Sequence, residues 1–142
     1  MLIGFDPGES TGYAVFTEDS SLISHGIIQK NPLEIYNLLK SYNDVTVIIE
    51  RFRMFPWKYR ALSWSILYPV QVIGTIEGYC KLLKIPLVEQ DTIVKKFYTD
   101  DKLRKLKLYR KRDFSVHERD AIRHVLYYLH FKLKKEVKKC SI

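Results

Sequence analysis

Cysteine is scarce in this chain. Cys80 and Cys140 are the only two in 142 residues, too few for a disulfide framework and without the spacing of a metal site. Cys80 falls within the pattern of a buried helix and reads as a small apolar residue, and this usage gives no sign of an oxidising compartment. Long hydrophobic runs are also missing. No stretch approaches the roughly 18 uninterrupted apolar residues of a membrane span. The first residues include Asp6 and Glu9 where a secretory leader would place a basic start and an apolar run. The expectation is a cytoplasmic protein with no membrane partner. Repeats, linkers and low-complexity segments are lacking as well, and the length suits one domain over residues 1–142 with a sizeable core.

Acidic residues thin out toward the second half. Residues 1–92 carry 8 Lys and Arg against 10 Asp and Glu, whereas residues 93–142 carry 16 against 6. The net charge of +8 is therefore an acidic-to-neutral segment followed by one of +10. With 46% hydrophobic and 28% charged residues the composition is that of a globular protein. A basic half beside an acidic cluster suits a polyanionic partner, although the terminal KLKKEVKKC reads equally well as a solvated tail.

Apolar runs at 1–5, 12–17 and 22–28 are short, rich in strand formers and broken by Gly, Ser, Thr and Asp, which predicts an antiparallel meander. Asn31-Pro32 then reads as the cap and first turn of a helix, with Ile35, Leu38, Leu39 and Tyr42 on one face. Val45 to Ile49 is nearly continuous in apolar residues and predicts a buried central strand. Residues 51–65 mix four cations with Phe52, Phe55, Trp57, Tyr59 and Trp64 and follow no period, so a loop entering a helix is expected. That helix continues over about 67–84, with Pro69 in its first turn or at a kink. A short strand over 85–88, a short helix over 93–98 and a basic segment over 102–109 follow. A last helix starts near Ser115 and runs past Leu133, with Ile122, Leu126, Leu129 and Leu133 as its core stripe.

Three acidic residues stand at the ends of these elements. Asp6 ends the first strand ahead of Pro7-Gly8, Glu50 ends the fourth strand, and Asp120 lies one turn after His117 at the start of the last helix. Carboxylates gathered at one place are costly unless a divalent cation neutralises them. The i, i+3 spacing puts His117 and Asp120 on one helix face. Glu118 points about 100° away from that face and is expected to be a solvated charge. His124, a further turn on, is expected to support the site or pack in the core.

The order β-β-β-α-β-α-β-α, with acidic residues closing the first and fourth strands, resembles the ribonuclease-H-like nucleases: an α/β fold with a mixed five-stranded sheet in the order 3-2-1-4-5, flanked by helices. Within them, IGFDPGESTGYAVF, VIIERF and VHERDAIRH resemble the three motifs of RuvC-type Holliday junction resolvases. PVQVIGTIEGYC resembles the long helix of that family, and Thr92 to Lys96 its lysine-bearing segment. The resemblance covers nearly the whole chain, and the short basic form looks most like phage-encoded members.

The resemblance implies a metal-dependent endonuclease of DNA recombination and repair that cuts four-way junctions by paired symmetric nicks, acting as a homodimer. It implies two Mg²⁺ ions per site, with Mn²⁺ as a good substitute for a site containing imidazole. Asp6 would bridge both ions, Glu50 would hold one, and His117 with Asp120 the other. His117 departs from the carboxylate of many relatives, and could ligate, accept the proton of the attacking water or cap the helix. DNA contacts are expected from Arg51, Phe52, Arg53, Phe55, Lys58 and Arg60, where cations interleave with aromatics, and from Lys95 and Lys96. The family places an aromatic wedge three positions after the motif glutamate. Here that position is Arg53, so Phe52 or Phe55 would have to replace it. The alternatives are a less selective nuclease for flaps and forks, a basic DNA-binding protein without catalysis, and a nucleotide phosphotransferase suggested by the run from Asp6 to Gly12.

Overall fold

The computed structural model describes residues 1–53, 64–109, 114–137 and 139–140. The elements follow in the order β1 (Leu2–Asp6), β2 (Ser10–Phe16), β3 (Leu22–Gln29), α1 (Pro32–Lys40), β4 (Thr46–Glu50), α2 (Trp64–Leu82), β5 (Leu87–Gln90), α3 (Val94–Phe97), α4 (Asp100–Lys105) and α5 (Val116–Tyr127). The last helix widens into a π-helical turn over Tyr128–Lys132. The strands form one sheet in the order β3-β2-β1-β4-β5. β1, β2 and β3 are an antiparallel meander, while β4 runs parallel to both β1 and β5. This is the mixed five-stranded sheet expected from the sequence. Among the described residues no helix is long and apolar enough to cross a membrane.

The period of two along the strands sorts side chains onto two faces. Ile3 and Phe5 of β1 and Val47 and Ile49 of β4 pack with Ile35 and Leu39 of α1 and with Val72, Ile76 and Cys80 of α2. Leu2 of β1 and Ile48 of β4 pack on the other face, against Ile122, Val125, Leu126 and Leu129. Continuing the same alternation, Asp6 follows Leu2 and Gly4, and Glu50 follows Ile48, so both carboxylates share the face covered by α5. Phe5 pairs with Ile49 across the parallel β1–β4 ladder, which sets Asp6 and Glu50 side by side at its C-terminal end.

Two glycines let α5 come close enough to meet them. A Cβ at Gly12 would lie 2.2 Å from the carbonyl carbon and oxygen of His117, and one at Gly4 would lie 2.5 Å from the carbonyl oxygen of Ala121. Any side chain at either position would push the helix off the sheet.

Several boundaries differ from those expected. The strand expected over 85–88 is Leu87–Gln90. Lys84 takes a positive φ of 56° as the chain leaves α2, and Ile85 still donates to the carbonyl of Cys80, so these residues finish the helix. Pro69 lies within α2 beyond its first turn. The last helix changes to π geometry at Tyr128, a widening that its regular apolar spacing does not announce.

Candidate active site

The N-terminus of α5 is fixed by a reciprocal cap. The Ser115 hydroxyl accepts from the backbone N–H of Glu118, and the Glu118 carboxylate accepts from that of Ser115. Glu118 also lies 2.7 Å from Nδ1 of His25 on β3, whose ring stacks on Phe114. Glu118 is thus buried, not a solvated charge as its angular position suggested. Burial pushes its carboxyl up, but the Ser115 backbone N–H and His25 outweigh this and hold it below the ordinary range. The Ser-x-x-Glu spacing of a capping box was the signal that would have found it.

This cap presents His117 and Asp120 to the strand ends. Nδ1 of His117 lies 2.7 Å from Oδ2 of Asp6. Asp120 is buried and is held from two sides: Nζ of Lys95 sits 3.0 Å from its Oδ2, while the guanidinium of Arg123 donates to its Oδ1. The same Lys95 ammonium lies 3.3 Å from Oε2 of Glu50. His124 is fully buried, with Nε2 3.2 Å from Oε2 of Glu50 and Nδ1 3.3 Å from Oε1 of Gln90. It supports Glu50 from behind, in the supporting position expected of it.

The charges at the three carboxylates are not equally compensated. Burial raises the carboxyl of Asp6 above its ordinary range, and the nearby charge of Asp120 adds to this against the His117 hydrogen bond. For Glu50, burial is outweighed by the hydrogen bond with His124 and the charge of Lys95, and its carboxyl is lowered. Lys95 is raised despite partial burial, through its hydrogen bond with Asp120 and the charges of Asp120, Glu50 and Asp6. An ammonium therefore occupies the centre of negative charge where a metal cation would be stabilised.

Among the described residues no group of three or more His, Cys, Asp or Glu side chains is drawn together tightly enough to hold a metal ion. The donor set still fits a hard divalent cation: carboxylate oxygens from three elements, one imidazole, and an Asp6 whose negative charge is disfavoured by burial and by Asp120.

A cleft of about 330 Å³ opens beside these groups, lined by Asp6, Glu50, Arg51, Phe52, Arg53 and Thr92 among others. Phe52 is 37% exposed there. Arg51 pairs with Glu89 at 3.1 Å and Arg53 with Asp91 at 2.8 Å, so both guanidinium groups are held by acidic neighbours. Lys96 is exposed on α3, next to Lys95. Phe55, Lys58 and Arg60 lie outside the described residues.

A second set of residues escaped sequence reasoning. Arg123 donates through Nε to the carbonyl of Tyr98 at 2.7 Å and through its terminal nitrogens to Asp120 and Asp100. Arg119 also reaches Asp100, at 2.9 Å. These contacts fasten the start of α4 to the middle of α5 directly behind Asp120. The i, i+3 spacing of Asp120 and Arg123 was visible in the sequence, but the Asp100 partner, 23 residues away, was not.

The geometry can now be set beside known structures. The fold is that of RuvC. The chain superposes on Thermus thermophilus RuvC in complex with Holliday junction substrate with a TM-score of 0.73 at 12% identity, covering 93% of this chain and 94% of that one. A second Thermus thermophilus RuvC structure matches with a TM-score of 0.69 at 13% identity, covering 94% and 96%. At such identities the likeness concerns the fold. No family model and no curated protein matches the chain in sequence.

Proposed function

We propose that this chain is a divalent-metal-dependent endonuclease that cuts four-way DNA junctions by paired, symmetric nicks. The observation that carries the reading is the meeting of Asp6, Glu50, His117 and Asp120 at one end of the sheet, with Lys95 among them. Asp6, Glu50, Asp120 and His117 would hold the metal, Mg²⁺ or its Mn²⁺ substitute. Bound there, the ions supply Lewis acidity and a water activated for attack on phosphorus.

The remaining work falls to the chain's own side chains. Asp6, central in the sheet, would be one of the carboxylates that hold the metal. His124, itself held by Gln90, fixes the rotamer of Glu50, and Arg123 fixes that of Asp120, which would preorganise the ligands. Lys95, beside Glu50 and Asp120, would contact the phosphate. Arg51, Arg53 and Lys96 would meet neighbouring phosphates, and Phe52 an exposed base.

A junction with approximate two-fold symmetry needs two incisions, and the described residues of one chain form one such site. Two chains would therefore act together through an isologous contact. The outward face of α2, with Val70 exposed and Gly74 and Gly78 open to solvent, is the surface offered for it.

The deciding experiment is cleavage of a synthetic four-way junction beside duplex, flap and single strand, with Mg²⁺, Mn²⁺ or chelator. Paired symmetric nicks confined to the junction and lost in chelator are expected. Equal cutting of flaps and forks would replace the resolvase by a broader branched-DNA nuclease, and no metal-dependent cutting of any substrate would remove the nuclease.

A further inference from the structure

Directly beyond Lys95 the chain builds an aromatic cluster that the reaction does not use. Phe97, two residues on in the same short helix α3, packs edge-on against Phe131 and Tyr127, with ring centroids 5.0 and 5.5 Å away. Tyr127 and Phe131 lie 4.5 Å apart, and His130 is 4.5 Å from Phe131. His130 and Phe131 belong to the π-helical turn Tyr128–Lys132, a geometry that is uncommon and concentrates at functional sites. Although packed together, the rings are not sealed: Phe97 remains 38% exposed.

Phe97, His130 and Phe131 line a cleft of about 390 Å³ together with Lys102 and Lys105 of α4. That volume lies in the range of small-ligand sites, about 300–1,000 Å³. The Lys102 ammonium is anchored at the cleft by the carbonyl of Phe97 at 2.6 Å. Glu136 contributes one carboxylate to the lining. A partly exposed ring edged by ammonium groups is complementary to a nucleotide, which stacks its base and pairs its phosphate. The segment lies in the basic half of the chain, residues 93–142, whose net charge is +10. Phe131 lies eleven residues beyond Asp120 along α5 and its π-helical continuation, roughly 15 Å of helix rise, so a strand that reaches both would span several nucleotides.

We propose that this cleft is a subsite for an unpaired nucleotide of a DNA strand, its base stacked on Phe97, which Phe131 backs edge-on, and its phosphates met by Lys102 and Lys105. The subsite would favour substrates with a single-stranded portion several nucleotides from the scissile phosphate. It rests on the nucleic-acid part of the proposed function and not on catalysis.

The test is equilibrium binding by the full chain in chelator, where nothing is cut. The probes are a labelled oligo-dT, a blunt hairpin duplex, and an oligo-dT carrying 2-aminopurine. Phe97→Leu with Phe131→Leu keeps apolar volume but removes both ring faces. The expected result is a rise of about ten-fold or more in Kd for oligo-dT, with duplex binding within two-fold and the quenching of 2-aminopurine lost. Phe131→Tyr should retain both the affinity and the quenching. If the double leucine variant melts below the assay temperature, Lys105→Glu decides, since it should weaken oligo-dT more than duplex.

Equal weakening on both probes, or no weakening in a folded variant, would overturn the subsite and leave the nuclease reading standing. It would also free the cleft for an apolar peptide segment. Failure of the intact chain to bind either probe would overturn the subsite too, while the nuclease reading is decided on the four-way junction.

Discussion

The Lys95 ammonium lies 3.0 Å from Oδ2 of Asp120, in the space a metal cation would otherwise neutralise. Replacing it by methionine keeps most of the stem and removes the charge. Lys95→Met should lower stability in chelator by about 1–2 kcal/mol, less than for a fully buried pair because Lys95 is partly exposed. Mg²⁺ should then raise the melting temperature of the variant more than that of the wild type, having no ammonium to displace. Equal rises on thermal unfolding would place the cation elsewhere.

Asp6 gives the opposite sign. Its folded-state carboxyl is raised above the ordinary value of 3.8, first by burial and then by Asp120. The folded chain therefore binds this proton more tightly than the unfolded chain. The stabilisation is complete below about pH 3.8 and is lost as pH rises through the folded value. Asp6→Asn removes that penalty, so in chelator at neutral pH the variant should melt no lower than the wild type. Its junction cleavage should fall at least about a hundredfold, the equivalent of a few kcal/mol of charge stabilisation, with junction binding retained. Cleavage near the wild-type rate would sink the assignment of Asp6.

Much of this arrangement was readable because it depends on local pattern. Strand alternation is enough to put Asp6 and Glu50 on one face, since Leu2-Gly4-Asp6 and Ile48-Glu50 each keep a period of two. Spacing along α5 is enough to put His117 and Asp120 together. What could not be read are contacts that depend on how close two elements approach. The burial of Glu118 requires β3 to deliver His25 to the helix start, and Arg123 requires α4 to deliver Asp100. The tight seat of α5 depends on Gly4 and Gly12, whose spacing carries no sign of the helix that will cross them.

Gly12 is accordingly a positioning residue. Gly12→Ala would set a Cβ 2.2 Å from the backbone carbonyl of His117, a group that cannot rotate away. The helix start must shift. A loss of about 1–3 kcal/mol is expected in denaturant unfolding, with cleavage lost in the fraction that remains folded, because His117 leaves Asp6. Full activity in the alanine variant would show that the helix has room to move.

Glu118 predicts an acid-sensitive contribution to stability. Its folded carboxyl is held below the ordinary value of 4.5 by the Ser115 backbone N–H and by His25, which together outweigh burial. The stabilisation is therefore complete above pH 4.5 and is lost as pH falls through the lower folded value. Glu118→Gln keeps the cap's shape without the charge. It should be about 1 kcal/mol less stable than the wild type at pH 7, and the gap should close as the pH is lowered below 4. A gap that persists at low pH would mean that Glu118 acts by packing alone.

The paired-nick reading requires two chains, and α2 offers a specific way to test it. Val72, Ile76 and Cys80 fasten one side of the helix to the sheet. On the other side Val70, Gly74, Gly78 and Leu82 recur every four residues, all exposed, with Val70 at 40% and Leu82 at 70%. A Cβ at Gly74 or Gly78 would meet nothing within 4 Å in the single chain. Longer side chains there cost the isolated fold nothing, and each removes the roughly 0.5–1 kcal/mol penalty of glycine within a helix. They would nevertheless hold a second copy of α2 away. Light scattering should find a two-chain particle for the wild type at micromolar concentration and a one-chain particle for Gly74→Gln with Gly78→Gln, the latter melting no lower in the limit of high dilution. The double variant should still nick a junction, but singly and without the symmetric partner cut. A one-chain wild-type particle, unchanged by junction DNA, would remove the paired-incision mechanism and leave a nuclease that acts one strand at a time.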